Sequence, residues 1–589
     1  MPNRNTHLQA FLLLLLRDFT RHKKQALYVA FLDVEKAFDT IDHMQLLDVL
    51  RKIGIPEDLV HIIHRLLPSF NLEVMGALFP QEQGTFQGSP LSPLLCVLFL
   101  MDLILYINGD EASAFHGTQL PWDTTKEELL VMLKILLFAD DIAILASTPD
   151  QLQKALDLMA FWAKRRGLRW GHAKCKVMRL CRIPSDKTTS EELARRNKMR
   201  LDGHVLDWVS EFTYLGMMVL EAPEYGRCLP NRLPTDENKI RSLCIALHRM
   251  FPSTARCTRV APLAARLGVI QVVHAKFLYP TALLDIDYKR LDIQTNRLLR
   301  RLCGLPLCSP SVLIHADLGV WPSRYYAHQR ALNFLGRARW AYWTKDGFQQ
   351  WFDDAEPGAI PKCLLPKWAT RGVLARFGCI LKRYGMSWND LRGEEVDTQW
   401  KQRVGNAIQA AFEKDCKIAA ARHGHPLLEF PHPTRRPRIR HCLRLGGELA
   451  LTALRMRCPR LRLVPSRPLH DHGTCRYCRV GSENGSHLVV CPSLPVDLSS
   501  SRDSIIQAIA GQAGVPVGAT RHRKAAIQDY IMNFAWPNMS DDLLKRLLVF
   551  CRNLINKYAA FKPAWESPDM ASFPVHRVRP VLRPPSDNV

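Results

Sequence analysis

Residues 135–146 read ILLFADDIAILA, an apolar run of strand character broken at its centre by Asp140 and Asp141. An ionised carboxylate taken out of water loses several kcal/mol of hydration even after its surroundings relax, so two adjacent acids in such a run need compensation. The run predicts a hairpin turn whose paired charges are neutralised by bound cations. Upstream, residues 26–33 (ALYVAFLD) read as a buried strand ending in Asp33, and EKAFD at 35–39 leads into a helix carrying Leu46, Leu47 and Leu50. Two acidic strand ends brought together on one sheet can hold two divalent ions at the spacing that phosphoryl transfer uses. The plain alternative, acids that cap turns, leaves their place in apolar strands unexplained.

Between these acids, GTFQGSPLSP at 84–93 is a glycine- and proline-rich loop that runs straight into the apolar helix LLCVLFLMDLILYI at 94–107. A loop of this kind can lay backbone against a ligand. Further on, GLRWGHAKCK occupies 167–176 and FTYLG occupies 212–216. Taken in order with YVAFLDVEKAFD at 28–39 and FADD at 138–141, these segments resemble the palm of reverse transcriptases, specifically those of non-LTR (LINE-type) retrotransposons.

The resemblance implies roles at matching positions. Asp33 and Asp140 correspond to the two metal-bridging carboxylates, Asp141 to their neighbour in the same turn, and the carbonyl of Val34 to a further Mg²⁺ ligand. Two Mg²⁺ ions are implied, with Mn²⁺ as a substitute. Phe38 corresponds to the bulky side chain that lies under the sugar and excludes a 2′-hydroxyl; a core aromatic is the alternative. Gln87 and Gly88 match residues that contact the incoming nucleotide and template, and Lys174 matches a lysine near the triphosphate. The family's Asn-x-x-Lys-Thr pattern appears here with Gly171 and Cys175 at its ends, so a solvated lysine remains the alternative at 174. Tyr214, Leu215 and Gly216 match the primer-grip turn. The partners implied are an RNA template, a DNA primer or target, and a dNTP.

The surrounding chain agrees with a polyanionic partner. Across 589 residues, 80 lysines and arginines face 56 acids, giving a formal charge of +24, and a pI near 9.5; nucleic acid suits this better than a membrane. The length implies roughly three or four domains. The AFLLLLL stretch at 10–16 is too short to span a bilayer and is followed by Arg17, Asp18, Arg21, Lys23 and Lys24, so it predicts a buried amphipathic helix. The 17 cysteines are scattered without a secretory signal, which points to the cell interior; a nuclear protein with a cytoplasmic ribonucleoprotein stage is the expectation.

Beyond the palm and a remnant of fingers (1–225), residues 226–345 predict a helical thumb. Its apolar Leu291, Leu298, Leu299 and Leu302 are set against Arg297, Arg300 and Arg301, before Gly304-Leu305-Pro306 ends the run. Residues 346–433, with Trp351, Trp368, Trp388 and Trp400, predict a helical connector. Between 435 and 467 ten arginines stand against the single acid Glu448, among them Arg435, Arg436, Arg438, Arg440, Arg455 and Arg457. This reads as a nucleic-acid backbone patch, with a nuclear-localisation signal or a solvated surface as alternatives.

Cys475, Cys478, His487 and Cys491 then form a CxxC…HxxxC set that can close a tetrahedral, structural zinc shell, completing a small finger over 434–495. His470 and His472 are spare donors. The pattern resembles the finger that follows the polymerase in many non-LTR elements. Residues 496–575 predict a helical pair packed on the finger, and 576–589 a disordered tail.

The expected fold is therefore α+β: a right-hand polymerase palm, an antiparallel sheet packed with helices, followed by helical thumb, helical connector and zinc finger. The expected function is target-primed, RNA-directed DNA synthesis, with nuclease activity from a separate endonuclease domain or chain. The alternative is a truncated, inactive remnant that only binds RNA or DNA. The start only about thirty residues before Asp33, with Arg21, Lys23 and Lys24 the nearest cations for a triphosphate, motivates that alternative.

Overall fold

The computed structural model describes residues 6–67, 71–74, 77–80, 83–85, 89–109, 115–121, 130–138, 140–181, 186, 188–221, 232–233, 237–250, 266–303, 305, 311, 315, 318–343, 372–391, 397–422, 452, 475–479, 485–513 and 540–560. They divide into two compact units, the first built from 1–236, 274–290 and 323–411, the second from 237–273, 291–322 and 412–589.

The first unit is organised by a five-stranded sheet. Its strands are β1 (Leu27–Asp33), β2 (Ile135–Phe138), β3 (Asp141–Ala146), β4 (Lys176–Cys181) and β5 (Asp207–Trp208), laid side by side in the order β5-β4-β1-β3-β2. The four longer strands pair antiparallel. The two-residue edge strand β5 runs parallel to β4, which makes the sheet mixed rather than purely antiparallel as expected. The connection between the two strands carries the helix Ser190–Arg196 and the hairpin Arg200–Val205, long enough for a parallel return, and the two residues of β5 carry no pattern that signals its direction.

Strand alternation gives the sheet two faces. On one, Tyr28, Ala30, Leu32, Val34, Ile142, Ile144 and Val177 share a core with Leu46, Leu47 and Leu50 of α2 (His43–Lys52), Leu95, Phe99 and Leu103 of α3 (Ser92–Asn108), and Leu156, Met159 and Trp162 of α4 (Pro149–Arg165). The expected helix after EKAFD is interrupted: a short turn at Ala37–Thr40 breaks at Ile41, and α2 restarts with Asp42 as its N-cap, the side chain accepting from Gln45 N–H at 2.8 Å. Asp102 on α3 locks the helices together. It accepts from Trp162 Nε1 at 2.9 Å and from Arg166 at 2.7 and 2.6 Å.

On the other face, Phe31 stacks on Phe212 with centroids 4.2 Å apart. Phe212 belongs to a hairpin of β6 (Glu211–Tyr214) and β7 (Met217–Leu220). The helix α1 (Thr6–His22) packs along β2 and β4. Leu13, Leu14, Leu15 and Leu16 are all buried, as expected of a buried helix, and Arg17 and Asp18 are buried with them as an ion pair of 3.2 Å. Asp18 also accepts from Val373 N–H at 2.9 Å, capping the helix that starts at Val373. Among the described residues no helix is long and apolar enough to cross a membrane.

Further helices are α5 (Glu237–Met250), α6 (Tyr288–Leu302), α7 (Ser323–Trp343), α8 (Val373–Arg383), α9 (Asp397–Arg422), α10 (Gly485–Val490), α11 (Val496–Ala513) and α12 (Asp541–Ala560), of which α7 and α8 lie in the first unit and α5, α10, α11 and α12 in the second. On α6 the apolar face is as expected, with Leu291, Leu298, Leu299 and Leu302 buried. Residues 435–467, apart from Thr452, lie outside the described residues, as do His470 and His472, Gly304 and Pro306, and the first half of the C-terminal helical pair.

Candidate active site

Asp33, Asp140 and Asp141 meet at one end of the sheet. In the β1–β3 ladder Asp33 stands opposite Asp141, and in the β2–β3 ladder Phe138 stands opposite Asp141, with Asp140 in the turn just before β3. They form a rim rather than a core: the Asp33 side chain retains 24% of its exposure, Asp140 is half-buried and Asp141 exposed. Their mutual repulsion is still felt. Desolvation by the protein atoms crowded around this sheet end first, then the charges of Asp140 and Asp33, push the Asp141 carboxyl above the usual carboxylate range, with Lys174 pulling the other way.

Three converging carboxylates with one ammonium nearby make a donor set that suits a hard divalent cation. The backbone adds a fourth donor. Asp33 directs both its N–H (to Cys175 Sγ, 3.4 Å) and its C=O (from Gly171 N–H, 2.9 Å) towards the same side, and Glu35 N–H bonds Arg169 C=O at 2.8 Å on that side too. Alternation therefore turns the carbonyl of Val34 the other way, towards the Asp140–Asp141 turn.

Lys174 reaches this rim. Its Nζ lies 3.1 and 3.3 Å from the two oxygens of Asp33, although the side chain is 74% exposed. The hydrogen bond to Asp33 raises the lysine's affinity for its proton. Phe38 is partly buried against the core cluster, and its carbonyl accepts from Thr85 N–H at 2.7 Å. Gly84, at φ +82°, packs so closely that a Cβ there would meet Asp39 Cα and Phe38 O at 2.8 Å. The start of the glycine loop is thereby fastened to the Phe38 turn. Gln87 and Gly88 lie outside the described residues.

The hairpin turn at Leu215-Gly216 has both φ values positive, +49° and +75°, which is the type I′ signature and strained for a leucine. It is pinned by Tyr279, whose hydroxyl donates to Leu215 C=O at 3.2 Å and pairs with Thr6 Oγ1 at 2.6 Å. Tyr214 is buried with a hydroxyl that finds no partner among the described residues, and burial followed by the charge of Asp141 raises its pKa. Two neighbours of the acids were not singled out from sequence. Cys96 of α3 is close enough to Asp140 that burial, and then that charge, push its thiol up to about 11; Phe31 anchors the hairpin from within β1. Only the alternation of β1 hinted at the latter.

The second unit holds a separate donor cluster. One ligand atom from each of Cys475, Cys478, His487 and Cys491 lies within 4.8 Å of the others. Cys475 Sγ and Cys491 Sγ are 3.8 Å apart, and Cys478 Sγ is 3.1 Å from His487 Nε2. The sulfur–sulfur distance matches the edge of a tetrahedron with metal–sulfur bonds of about 2.3 Å. Burial pushes the Cys491 thiol up to about 12, a cost that a soft cation would remove. Helix α12 buttresses the cluster: Tyr558 accepts from Arg476 N–H at 2.8 Å and meets Tyr477 edge-on at 5.1 Å.

Comparison with known proteins accords with the palm. Residues 1–219 match the family described as "Reverse transcriptase (RNA-dependent DNA polymerase)". Over 359 residues the chain is 27% identical to the Pol polyprotein of the type-2 retrotransposable element R2DM of Drosophila melanogaster, covering 58% of this chain and 31% of that one. Over 174 residues it is 34% identical to the Pol polyprotein of a type-1 retrotransposable element R2 of Nasonia vitripennis, covering 28% and 15%. Over 316 residues it is 25% identical to the probable RNA-directed DNA polymerase from transposon BS of Drosophila melanogaster, covering 50% and 31%. The matched parts thus span about a third or less of these relatives' lengths. Residues 1–219 resemble the reverse-transcriptase family, and the relatives the chain matches are polyproteins and polymerases of retrotransposable elements.

Proposed function

We propose that this chain is an RNA-directed DNA polymerase that extends a DNA primer on an RNA template, in target-primed reverse transcription. The observation that carries the reading is the meeting of Asp33, Asp140 and Asp141 at one sheet end, where like charges repel and the Val34 carbonyl turns inward. Asp33 and Asp140 hold the divalent ions, with Val34 as a backbone ligand. Two Mg²⁺ ions bound there would supply Lewis-acid activation of the primer 3′-hydroxyl and stabilise charge on the leaving pyrophosphate.

The remaining steps belong to the chain. Phe38 occupies the space a ribose 2′-hydroxyl would need, and Gln87 and Gly88 orient the dNTP and template base. Lys174 sets a positive charge, or a proton, beside the departing phosphates. The strained 214–216 turn, tied to Tyr279, holds the primer end.

Residues 226–345 act as thumb and 346–433 as connector. Support for a nucleic-acid surface in the second unit comes from Arg241, Arg297 and Arg301, which line one recess of about 230 Å³ together with Gln294 and Leu298. The 434–495 segment binds nucleic acid through its arginines and a zinc-stabilised finger, and the protein acts in the nucleus.

Primer extension tests the polymerase reading. The full chain with Mg²⁺, an RNA template, an annealed DNA primer and dNTPs should lengthen the primer, and Asp140→Asn should not. No extension by the wild-type chain, with nucleic-acid binding retained, would favour a binding-only protein; undiminished extension by the variant would refute the site.

A further inference from the structure

The turn at Leu215-Gly216 is held from outside its own hairpin. Tyr279, at the start of the helical turn Tyr279–Ala282, donates its hydroxyl hydrogen to Leu215 C=O at 3.2 Å, and the same oxygen lies 2.6 Å from Oγ1 of Thr6 at the start of α1. One hydroxyl carries a single hydrogen, so the order of donors follows: Thr6 donates to Tyr279, and Tyr279 to the turn. The backbone of Tyr279 is fixed as well. Its C=O lies 3.1 Å from Nε2 of His7, and the two rings stand 4.5 Å apart. All of these residues belong to the first unit.

The turn needs such a hold. Leu215 sits at φ +49°, a left-handed conformation that a Cβ disfavours, and it is buried. A residue in that state persists only where its surroundings over-determine it. Here the hydrogen bond fixes the carbonyl of the strained residue, and the Tyr279 ring lies against the next one: a Cβ on Gly216 would meet Cε1 of that ring at 3.0 Å. Along the strands of the hairpin, Phe212 and Tyr214 pack on Phe31 of β1, two residues before Asp33. The hairpin is thus fastened by its strands to the one that carries a metal ligand, and by its tip to Tyr279.

We propose that Tyr279 is a positioning residue for the primer: through its hydroxyl it sets the place of the 214–216 turn, and with it the seat of the primer 3′ end. Removing the hydroxyl leaves the ring in its packing and frees the Leu215 carbonyl, so the strained turn relaxes and the primer end loses that seat. Thr6 acts one step further out, by fixing the direction in which the hydroxyl donates. The inference rests on the reading of the 214–216 turn as the element that holds the primer, made above.

Binding of two duplexes to the full, zinc-replete chain tests both separately: an RNA template with an annealed DNA primer that ends in a recessed 3′-hydroxyl, and the same RNA–DNA duplex with its ends closed by loops. The ratio of the two affinities reports the seat of the primer end, and any loss of folded protein cancels from it. Wild type should prefer the recessed end. Tyr279→Phe should lower that preference about three- to tenfold, the range a single hydrogen bond covers, and Thr6→Val should lower it less. Gly216→Ala is the control: its Cβ meets both the Tyr279 ring and a positive φ, so it displaces the turn and should lower the preference at least as much. If Gly216→Ala lowers the preference and Tyr279→Phe does not, the role of Tyr279 is overturned and that of the turn stands. If wild type shows no preference, or neither variant changes it, the reading of the turn itself fails. A Tyr279→Phe chain that does not fold, or that loses affinity for both duplexes alike, also overturns the proposal, since the tyrosine would then be a brace for the fold.

Discussion

The carboxylate rim of the first unit and the thiol–imidazole cluster of the second are both donor sets, yet they are assembled by different forces. Asp33, Asp140 and Asp141 are delivered by strands whose ladders and two-sided core exist without any ion. The donors of Cys475, Cys478, His487 and Cys491 sit within 17 residues, held to longer helices by Tyr558 of α12 and by Arg502 of α11, which donates to Cys491 C=O at 3.3 Å. A scaffold that is already built can leave its ligands open and charged at the rim, as catalysis requires. A segment too short to bury a core must draw its folding free energy from the ion it closes around.

The largest effect that sharpens this contrast is removal of the soft metal. Zinc binding to finger-sized segments is worth about 10–16 kcal/mol. Cys491→Ser, or a zinc chelator, should therefore expose 475–491 and release Tyr558, seen as fast amide exchange in those residues and the end of α12. Amides of β1, β3 and β4 should not respond, and a palm that loosened with them would erase the distinction.

The next effect lies in the palm scaffold. Asp102→Ala leaves Arg166 and Trp162 without their shared acceptor and should cost about 3–5 kcal/mol in denaturant unfolding, with no effect on zinc content. Burial pushes the Asp102 carboxyl up, but hydrogen bonds from Arg166 and Trp162 outweigh it and hold the group below the usual range. A carboxyl lowered in the folded state stabilises above its unfolded pKa and loses that contribution as pH falls through the folded value. Wild type should thus lose its advantage over Asp102→Ala on acidification below about pH 4; a constant gap down to pH 2 would contradict the pairing.

Smaller still is the steric effect of Phe38. Phe38→Ala should let ribonucleotides in, lowering discrimination by about 10- to 100-fold in competition primer extension. Unchanged selectivity would return Phe38 to the core. Smallest is Arg297→Ala, which should reduce the slope of log affinity against log salt for duplex binding by about one, uniformly across sequences.

Much of the palm could be read before any coordinates because its physics is local. Alternation and turn residues mark β1, β2 and β3, and acids in apolar strands are costly enough to advertise a site. The spacing of Cys475, Cys478, His487 and Cys491 likewise carries its geometry within it. What could not be read depends on distant packing. The parallel pairing of β5 joins residues 207–208 to 176–177, the break at Ile41 follows from the tie to Gln83 and Gly84, and the cover over α1 comes partly from α8.

The central claim, that the rim carboxylates work through a pair of divalent ions, is tested most directly by single-nucleotide incorporation titrated with Mg²⁺ in wild type and Asp140→Asn. The account predicts a cooperative rise with Mg²⁺ in wild type and a loss of at least about 1,000-fold in the variant at every Mg²⁺ concentration. Incorporation by Asp140→Asn within about tenfold of wild type at saturating Mg²⁺ would contradict it.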